Sequence, residues 1–193
     1  MQHRNPISLA SLVAPLTLGL LLLMLLVTTA QSQTGAPKMS FTISSASFQN
    51  GDDIPKKFTC QGADVSPELS WKEAPQGTRS FALIADDPDA PAGTWTHWLV
   101  YDLAADTHGL DENVSKIDEL PNGGRQGRND FRKIGYGGPC PPAGKAHRYF
   151  FKLYALDAKL NLSPGVGKDE VEKAVQAHTL GKAELMGKYQ RQD

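Results

Sequence analysis

Residues 80–103 read SFALIADDPDAPAGTWTHWLVYDL. Ser80–Asp86 is apolar at both sets of alternating positions, the pattern of a strand covered on both faces. Asp87-Pro88-Asp89-Ala90-Pro91 follows. Each proline fixes φ and removes an N–H donor, so the turn is rigid. A rigid turn at a strand end holds a carboxylate still. His97–Leu103 is rich in β-branched and aromatic residues and reads as another strand.

A second stretch has the same construction. Gly137-Gly138-Pro139-Cys140-Pro141-Pro142-Ala143-Gly144 is a Gly/Pro loop, and His147–Leu156 is strand-like. Strand alternation puts His147 and Tyr149 on one face and Arg148 on the other. An imidazole and a phenol thus share a face beside a loop whose backbone N–H groups suit an anion.

The rest of the chain supports the same class. Phe41–Ser45, Lys57–Cys60 and Leu69–Trp71 are further short apolar runs bounded by turn residues. Ala104–Gly144 is long and turn-rich, and a connection of that length in a compact domain is usually functional. One helix is expected: Lys168-Asp169-Glu170 opens it, Val171, Ala174, Val175 and His178 give helical spacing, and Gly181 interrupts it. Ala183–Met186 reads as a final turn or strand. The fold class is mostly β, antiparallel, with one or two peripheral helices.

Charge is uninformative on average and informative locally. Against 20 Lys+Arg stand 21 Asp+Glu, for a net charge of −1, and no basic run marks a nucleic-acid surface. Residues 1–30 contain no acid and one strong base, Arg4. Leu16–Val27 (LTLGLLLLMLLV) and the small residues Thr28-Thr29-Ala30 complete the pattern of a secretory signal peptide cut after Ala30. The alternative is an uncleaved anchor: from Ile7 the apolar stretch is of about spanning length, although Pro15 breaks it. The domain plan is a leader at 1–30, a polar linker at 31–40 and one domain at 41–193. An exported chain is periplasmic or secreted, and there the cysteine pair, Cys60 and Cys140, reads as one disulfide.

The candidate chemistry lies at the strand ends. No G-x-S-x-G elbow, H-E-x-x-H, P-loop or G-x-G-x-x-G after a strand occurs. Asp87, Asp89, His97 and His147 are suitable metal ligands, so a hydrolase or metal-dependent enzyme stays open. The competing reading is a pocket for a small anion, with two His and a Tyr donating while Asp87 orients or charges one His. No catalytic residue, metal ligand or cofactor is assigned.

At this level of detail a family can be stated. DPDAPAGTWTHWLVYDL (87–103) and GPCPPAGKAHRYFFKLYALD (138–157) resemble the two signature regions of the phosphatidylethanolamine-binding protein family. FTCQGADVSPELSW (58–71) and AELMGKY near the C-terminus are similar to its bacterial and archaeal, Raf kinase inhibitor-like (YbhB/YbcL) branch. The resemblance spans roughly Phe41 to Arg191. It implies an antiparallel β-sandwich with peripheral helices and a small anion pocket at one end. Carried over by position, Asp87 and His97 belong to the pocket, with Asp89 and Pro91 shaping its turn. Pro142, His147 and Tyr149 belong to it as well, with Gly138 in the adjoining loop backbone. The ligands implied are phosphate, phosphoethanolamine-type phospholipid head groups and carboxylates. The role implied is a non-enzymatic binding or inhibitory module, with a target protein and a homodimer as further implied partners. The segment between Pro91 and His97 is shorter than in eukaryotic members, so kinase and lipid partners do not transfer directly. Protonated histidines would make anion binding strengthen as pH falls through the imidazole range near 6.5.

Overall fold

The computed structural model describes residues 40–192. The leader, its cleavage point and linker residues 31–39 lie outside the described residues. In chain order the elements are β1 (Thr42–Ser44), a 3₁₀ turn (Lys56–Phe58), β2 (Leu69–Lys72), β3 (Ser80–Asp87) and β4 (Trp95–Ala104). They continue with β5 (Gly109–Leu110), β6 (Arg125–Gln126), β7 (His147–Leu156), α1 (Lys168–His178) and β8 (Thr179–Tyr189). Two antiparallel sheets form, a three-stranded one ordered β1-β2-β5 and a five-stranded one ordered β6-β4-β3-β7-β8.

The apolar run of β3 is explained by what covers it. It is the middle strand of the large sheet, and all eight residues are buried. Phe81, Leu83 and Ala85 join a core shared with Trp71 and Ile43 of the small sheet. Ala82 and Ile84 face the other way, under Val171 and Val175 of α1. The large sheet is therefore sandwiched between the small sheet and the helix.

Two expectations change. Lys57–Cys60, expected as a strand, is the 3₁₀ turn Lys56–Phe58, closed by Phe58 N–H donating to Pro55 O and Thr59 N–H to Lys56 O. Only Phe58 of that run is a large buried side chain, so it anchors a turn instead of lining a sheet. The expected short element at Ala183–Met186 is the middle of an eleven-residue strand. In β8, Ala183, Leu185 and Tyr189 enter the core in strict alternation with exposed Lys182, Glu184 and Lys188. Gly181 lies within this strand because Pro75 packs over it: a Cβ there would meet Pro75 Cγ at 2.7 Å.

Strand β4 departs from regular pairing with β3 at two places. Ala85 pairs with Trp98 and Asp86 with Thr96, leaving His97 as an extra residue. Phe81 pairs with Leu103 and Leu83 with Val100, a second irregularity that contains Asp102 at φ 59°. Bulges of this kind re-aim side chains. Asp102 is buried and accepts N–H bonds from Leu160 (2.6 Å) and Asn161 (3.1 Å), which pins the segment leading to α1.

Cys60 and Cys140 are joined in a disulfide across a sequence separation of 80. The bond ties the 3₁₀ region to the loop before β7, beside the Cys60 N–H to Pro139 O bond of 3.1 Å. In the chain-entropy account, a cross-link closing a loop of this size stabilises by about 4 kcal/mol. Reduction, or Cys60→Ser with Cys140→Ser, should therefore lower the unfolding free energy by about 2–5 kcal/mol in urea titrations. The unreduced protein should offer neither thiol to an alkylating reagent.

Candidate functional site

Three loops and three strand ends meet at one end of the large sheet. The cavity between them, of about 340 Å³, is lined by Asp87, His97 and His147 with an apolar wall that includes Pro91, Trp95, Phe131 and Pro142. The cavity is apolar except at its imidazole–carboxylate floor.

Asp87 ends β3 and is buried. One carboxylate oxygen accepts the Asp89 N–H at 2.8 Å, closing the Asp-Pro-Asp turn. The other accepts Nδ1–H of His147 at 2.8 Å. His147 opens β7 and is also buried, so the pair is shielded and its geometry fixed. The Nε2 of His147 has no hydrogen-bond partner among the described residues.

His97 enters the cavity because of the bulge. Trp98 and Val100 point into the inner core, so simple alternation would turn His97 to the opposite face. As the extra residue it instead meets the Tyr149 ring edge-to-face, with centroids 5.2 Å apart. Its Nδ1 lies 2.6 Å from Gly137 O. A carbonyl only accepts, so Nδ1 carries the proton and Nε2 presents a lone pair. Burial pushes the His97 pKa below 6.5, opposed in part by the Gly137 carbonyl and the Asp87 charge.

The remaining expected residues divide. Pro91 and Pro142 line the cavity. Asp89 is engaged outside it: the Arg148 backbone N–H (2.9 Å), Nε (2.9 Å) and a terminal nitrogen (2.7 Å) all donate to its carboxylate. That guanidinium holds the Asp89 carboxyl far below the usual carboxylate range. Asp89 thus clamps the turn onto β7 and does not line the cavity. Tyr149 shares the His147 face, as alternation requires, but is buried behind His97. Its hydroxyl makes no well-formed hydrogen bond among the described residues, although Asp87 lies close by; burial, then the charge of Asp87, pushes its pKa up. Gly138 lies outside the cavity, and its N–H donates to Asp64 at 2.6 Å. A Cβ at 138 would stand 2.3 Å from Phe58 O, so only glycine lets the loop approach this closely.

Two lining residues escaped the sequence reading. Phe131 sits at the tip of the 128–134 turn, 37% exposed, edge-on to Trp95 at 5.5 Å and His97 at 5.3 Å. Asn129 holds that turn by accepting Lys133 N–H (3.1 Å) and donating to Gly135 O (2.9 Å). Thr96 and Asp130 dock it onto β4 through Thr96 N–H to Asp130 Oδ2 (2.6 Å) and Asp130 N–H to Thr96 O (3.0 Å). Trp95 carries a buried indole N–H with no partner among the described residues. An isolated Phe or Trp in a polar stretch gives no sequence signal that separates a pocket wall from a surface residue.

As for metal ligation, Asp87 and His147 bond to each other and Asp89 turns to Arg148. No cluster of three or more His, Cys, Asp or Glu suited to a metal ion occurs among the described residues.

A two-sheet antiparallel protein with a His/Asp cavity at one end of the larger sheet is a defined class, and sequence comparison places the chain within it. The family model for phosphatidylethanolamine-binding protein matches residues 44–190. The chain belongs to that family. It is 50% identical over 149 residues to a UPF0098 protein of Aquifex aeolicus, covering 76% of this chain and 86% of the relative. It is also 50% identical over 144 residues to a UPF0098 protein of Methanothermobacter thermautotrophicus, covering 75% and 95%. Among solved structures, E. coli YbcL, described as a member of the mammalian PEBP family, superposes with a TM-score of 0.75 at 34% identity, covering 80% of this chain and 100% of YbcL. A putative phosphatidylethanolamine-binding protein homolog of Chlamydia trachomatis gives 0.72 at 39% identity, covering 79% and 99%. The names of the family and of these relatives assign no enzyme activity.

The lowered His97 pKa has a measurable consequence. Below pH 6.5 the unfolded chain binds the His97 proton before the folded one does, so this group's linkage lowers stability as pH falls. The His97 imidazole should titrate below 6.5 by NMR. His97→Gln should lose less stability than the parent protein between pH 7.5 and 5.5 in thermal melts. A titration midpoint at or above 6.5 would contradict the burial argument.

Proposed function

We propose that this protein is a non-enzymatic binding module whose cavity takes a small oxyanion: a phosphate, a phosphoethanolamine-type head group or a carboxylate. The observation that carries the reading is the pair of fixed imidazoles. Each is held by its Nδ1, to Asp87 or to Gly137, so each leaves Nε2 for a ligand at the floor of an apolar cavity. The Trp95 indole N–H, unpartnered among the described residues, is a further donor in the cavity wall. Buried donors without acceptors cost about 1–3 kcal/mol each, which an oxyanion would offset.

The charge state sets how the anion enters. Among the lining residues the sole fixed charge is that of Asp87, which repels an anion. With its Nδ1–H given to Gly137 O, a neutral His97 presents only an acceptor at Nε2. The ligand is therefore taken up together with a proton, carried by the ligand or placed on an imidazole. Either route gives a charge-assisted hydrogen bond, on the order of 1.5–3 kcal/mol. This refines the expectation of a simple imidazole titration near 6.5, because burial moves the His97 step to lower pH.

Binding is favoured over hydrolysis on one point. The Asp87–His147 pair has the form of an oriented general base. Its cavity, however, is lined by no serine or threonine, and Cys140 is bonded to Cys60. An activated nucleophile is missing from the wall where the base would need it.

Calorimetric titration of inorganic phosphate and of phosphoethanolamine at pH 5.5, 6.5 and 8 tests the reading. Affinity should rise as pH falls, with net proton uptake seen as a dependence of the heat on buffer ionisation enthalpy. His147→Asn, which keeps side-chain size, should weaken binding at least about tenfold at pH 5.5. Equal affinities at all three pH values would sink the proton-coupled mechanism.

A further inference from the structure

A second cavity, of about 240 Å³, lies against the first. The two share Phe131 and Cys140 as walls, so an aromatic ring and the disulfide form a low partition between them. The polar character on the two sides differs. The first cavity offers imidazoles and one carboxylate. The second is lined by Lys116, Lys133 and Asp64.

The bonding capacity of this second cavity is largely spent, with one exception. Gly138 N–H donates to Asp64, and Gly137 N–H to His97 O. The Tyr136 hydroxyl donates to Phe58 O at 2.8 Å. Lys116 Nζ donates to Asp64 O (2.9 Å) and to its carboxylate (3.1 Å), which neutralises Asp64. Lys133 has no acidic partner among the described residues. The pinned Asn129–Lys133 turn fixes its backbone beside the partition. The second cavity therefore carries one uncompensated positive charge where the first carries a fixed negative one.

We infer that this cavity is a second anion subsite. Resting on the oxyanion reading of the first, it makes the preferred ligand a short molecule with an acidic group at each end and an apolar middle. One acid, with its proton, occupies the imidazole cavity. The chain crosses the Phe131 ring, and the other acid pairs with Lys133. Linking the two contacts in one molecule makes the second contact intramolecular, so it adds to affinity without a second association step.

The test is titration at pH 5.5 with straight-chain α,ω-dicarboxylates from four to ten carbons, with acetate and inorganic phosphate as single-anion probes. Affinity should peak at one chain length, at least tenfold tighter than acetate. Lys133→Met should abolish the peak while acetate and phosphate affinities stay within twofold. Lys133 is exposed and makes no side-chain bond among the described residues, so folding is not at issue. If the single anions bind but affinity is flat with chain length, or the peak survives Lys133→Met, the second subsite is overturned and the first reading stands. An ω-amino acid of the peak length binding as tightly as the diacid overturns the two-acid ligand class. If neither acetate nor phosphate binds, the oxyanion reading falls and this inference falls with it.

Discussion

The site depends on one extra residue in β4. With regular pairing, His97 would lie on the same side as Leu99 and Tyr101, under the helix. The bulge between Trp98 and Thr96 brings its ring to the inner side, within reach of Tyr149, Phe131 and the Gly137 carbonyl. Several features follow from that placement. Gly137 must offer its carbonyl at 2.6 Å, and its N–H returns a bond to His97 O at 2.9 Å, so loop and bulge are stitched in both directions. Asn129 adds a weaker bond to the same His97 carbonyl at 3.4 Å. A Cβ on Gly137 would approach the Phe131 ring to 2.7 Å, so glycine there lets the aromatic wall close onto the loop. The unpaired backbone groups of the bulge are thereby used to build the cavity wall, as buried polar groups require.

The near-zero net charge acquires a structural meaning in this setting. Several acids serve as hydrogen-bond acceptors for backbone N–H groups. Asp64 takes Gly138, Asp87 takes Asp89, Asp89 takes Arg148, Asp102 takes Leu160 and Asn161, and Asp130 takes Thr96. Bonds from N–H to an ionised acceptor are shorter and stronger than neutral ones. In a protein with long connections, such bonds fix loops that helix or sheet ladders do not. These carboxylates thus set geometry as well as charge.

How much of this was legible beforehand depended on the range of the determining contact. Strand β3, strand β7 and helix α1 were readable because their patterns are local: a doubly buried apolar run, His147/Tyr149 alternation, and Val171/Val175 spacing. Lys57–Cys60 misled because a single Phe58 among turn residues satisfies no period. Strand β8 was half-read because Gly181 reports its packing on Pro75, a contact more than a hundred positions away. Family signatures located Asp87, His97, His147 and Pro142 at the cavity. They could not show that Gly138 and Asp89 spend their groups on Asp64 and Arg148, since both pairings join segments distant in sequence. Phe131 and Trp95 stayed hidden for the same reason. Their role exists only once the 128–134 turn docks on β4 through Thr96 and Asp130.

The disulfide and the bulge answer one physical problem from opposite sides. A cavity floored by a buried Asp–His pair holds polar groups out of water, which is costly unless they stay hydrogen-bonded. It keeps its shape only if the walls cannot relax onto that floor. On the β4 side the bulge is locked by Gly137 and Asn129. On the β7 side the Cys140–Pro142 wall has few backbone donors, since Pro141 and Pro142 lack N–H groups, and it cannot be held by a ladder. A covalent bond to Cys60, beside the Cys60 N–H to Pro139 O hydrogen bond, supplies the restraint that a ladder cannot. This accounts for the cysteine lying directly before the two prolines, at the wall of the cavity, where its partner in the 3₁₀ region is anchored by buried Phe58.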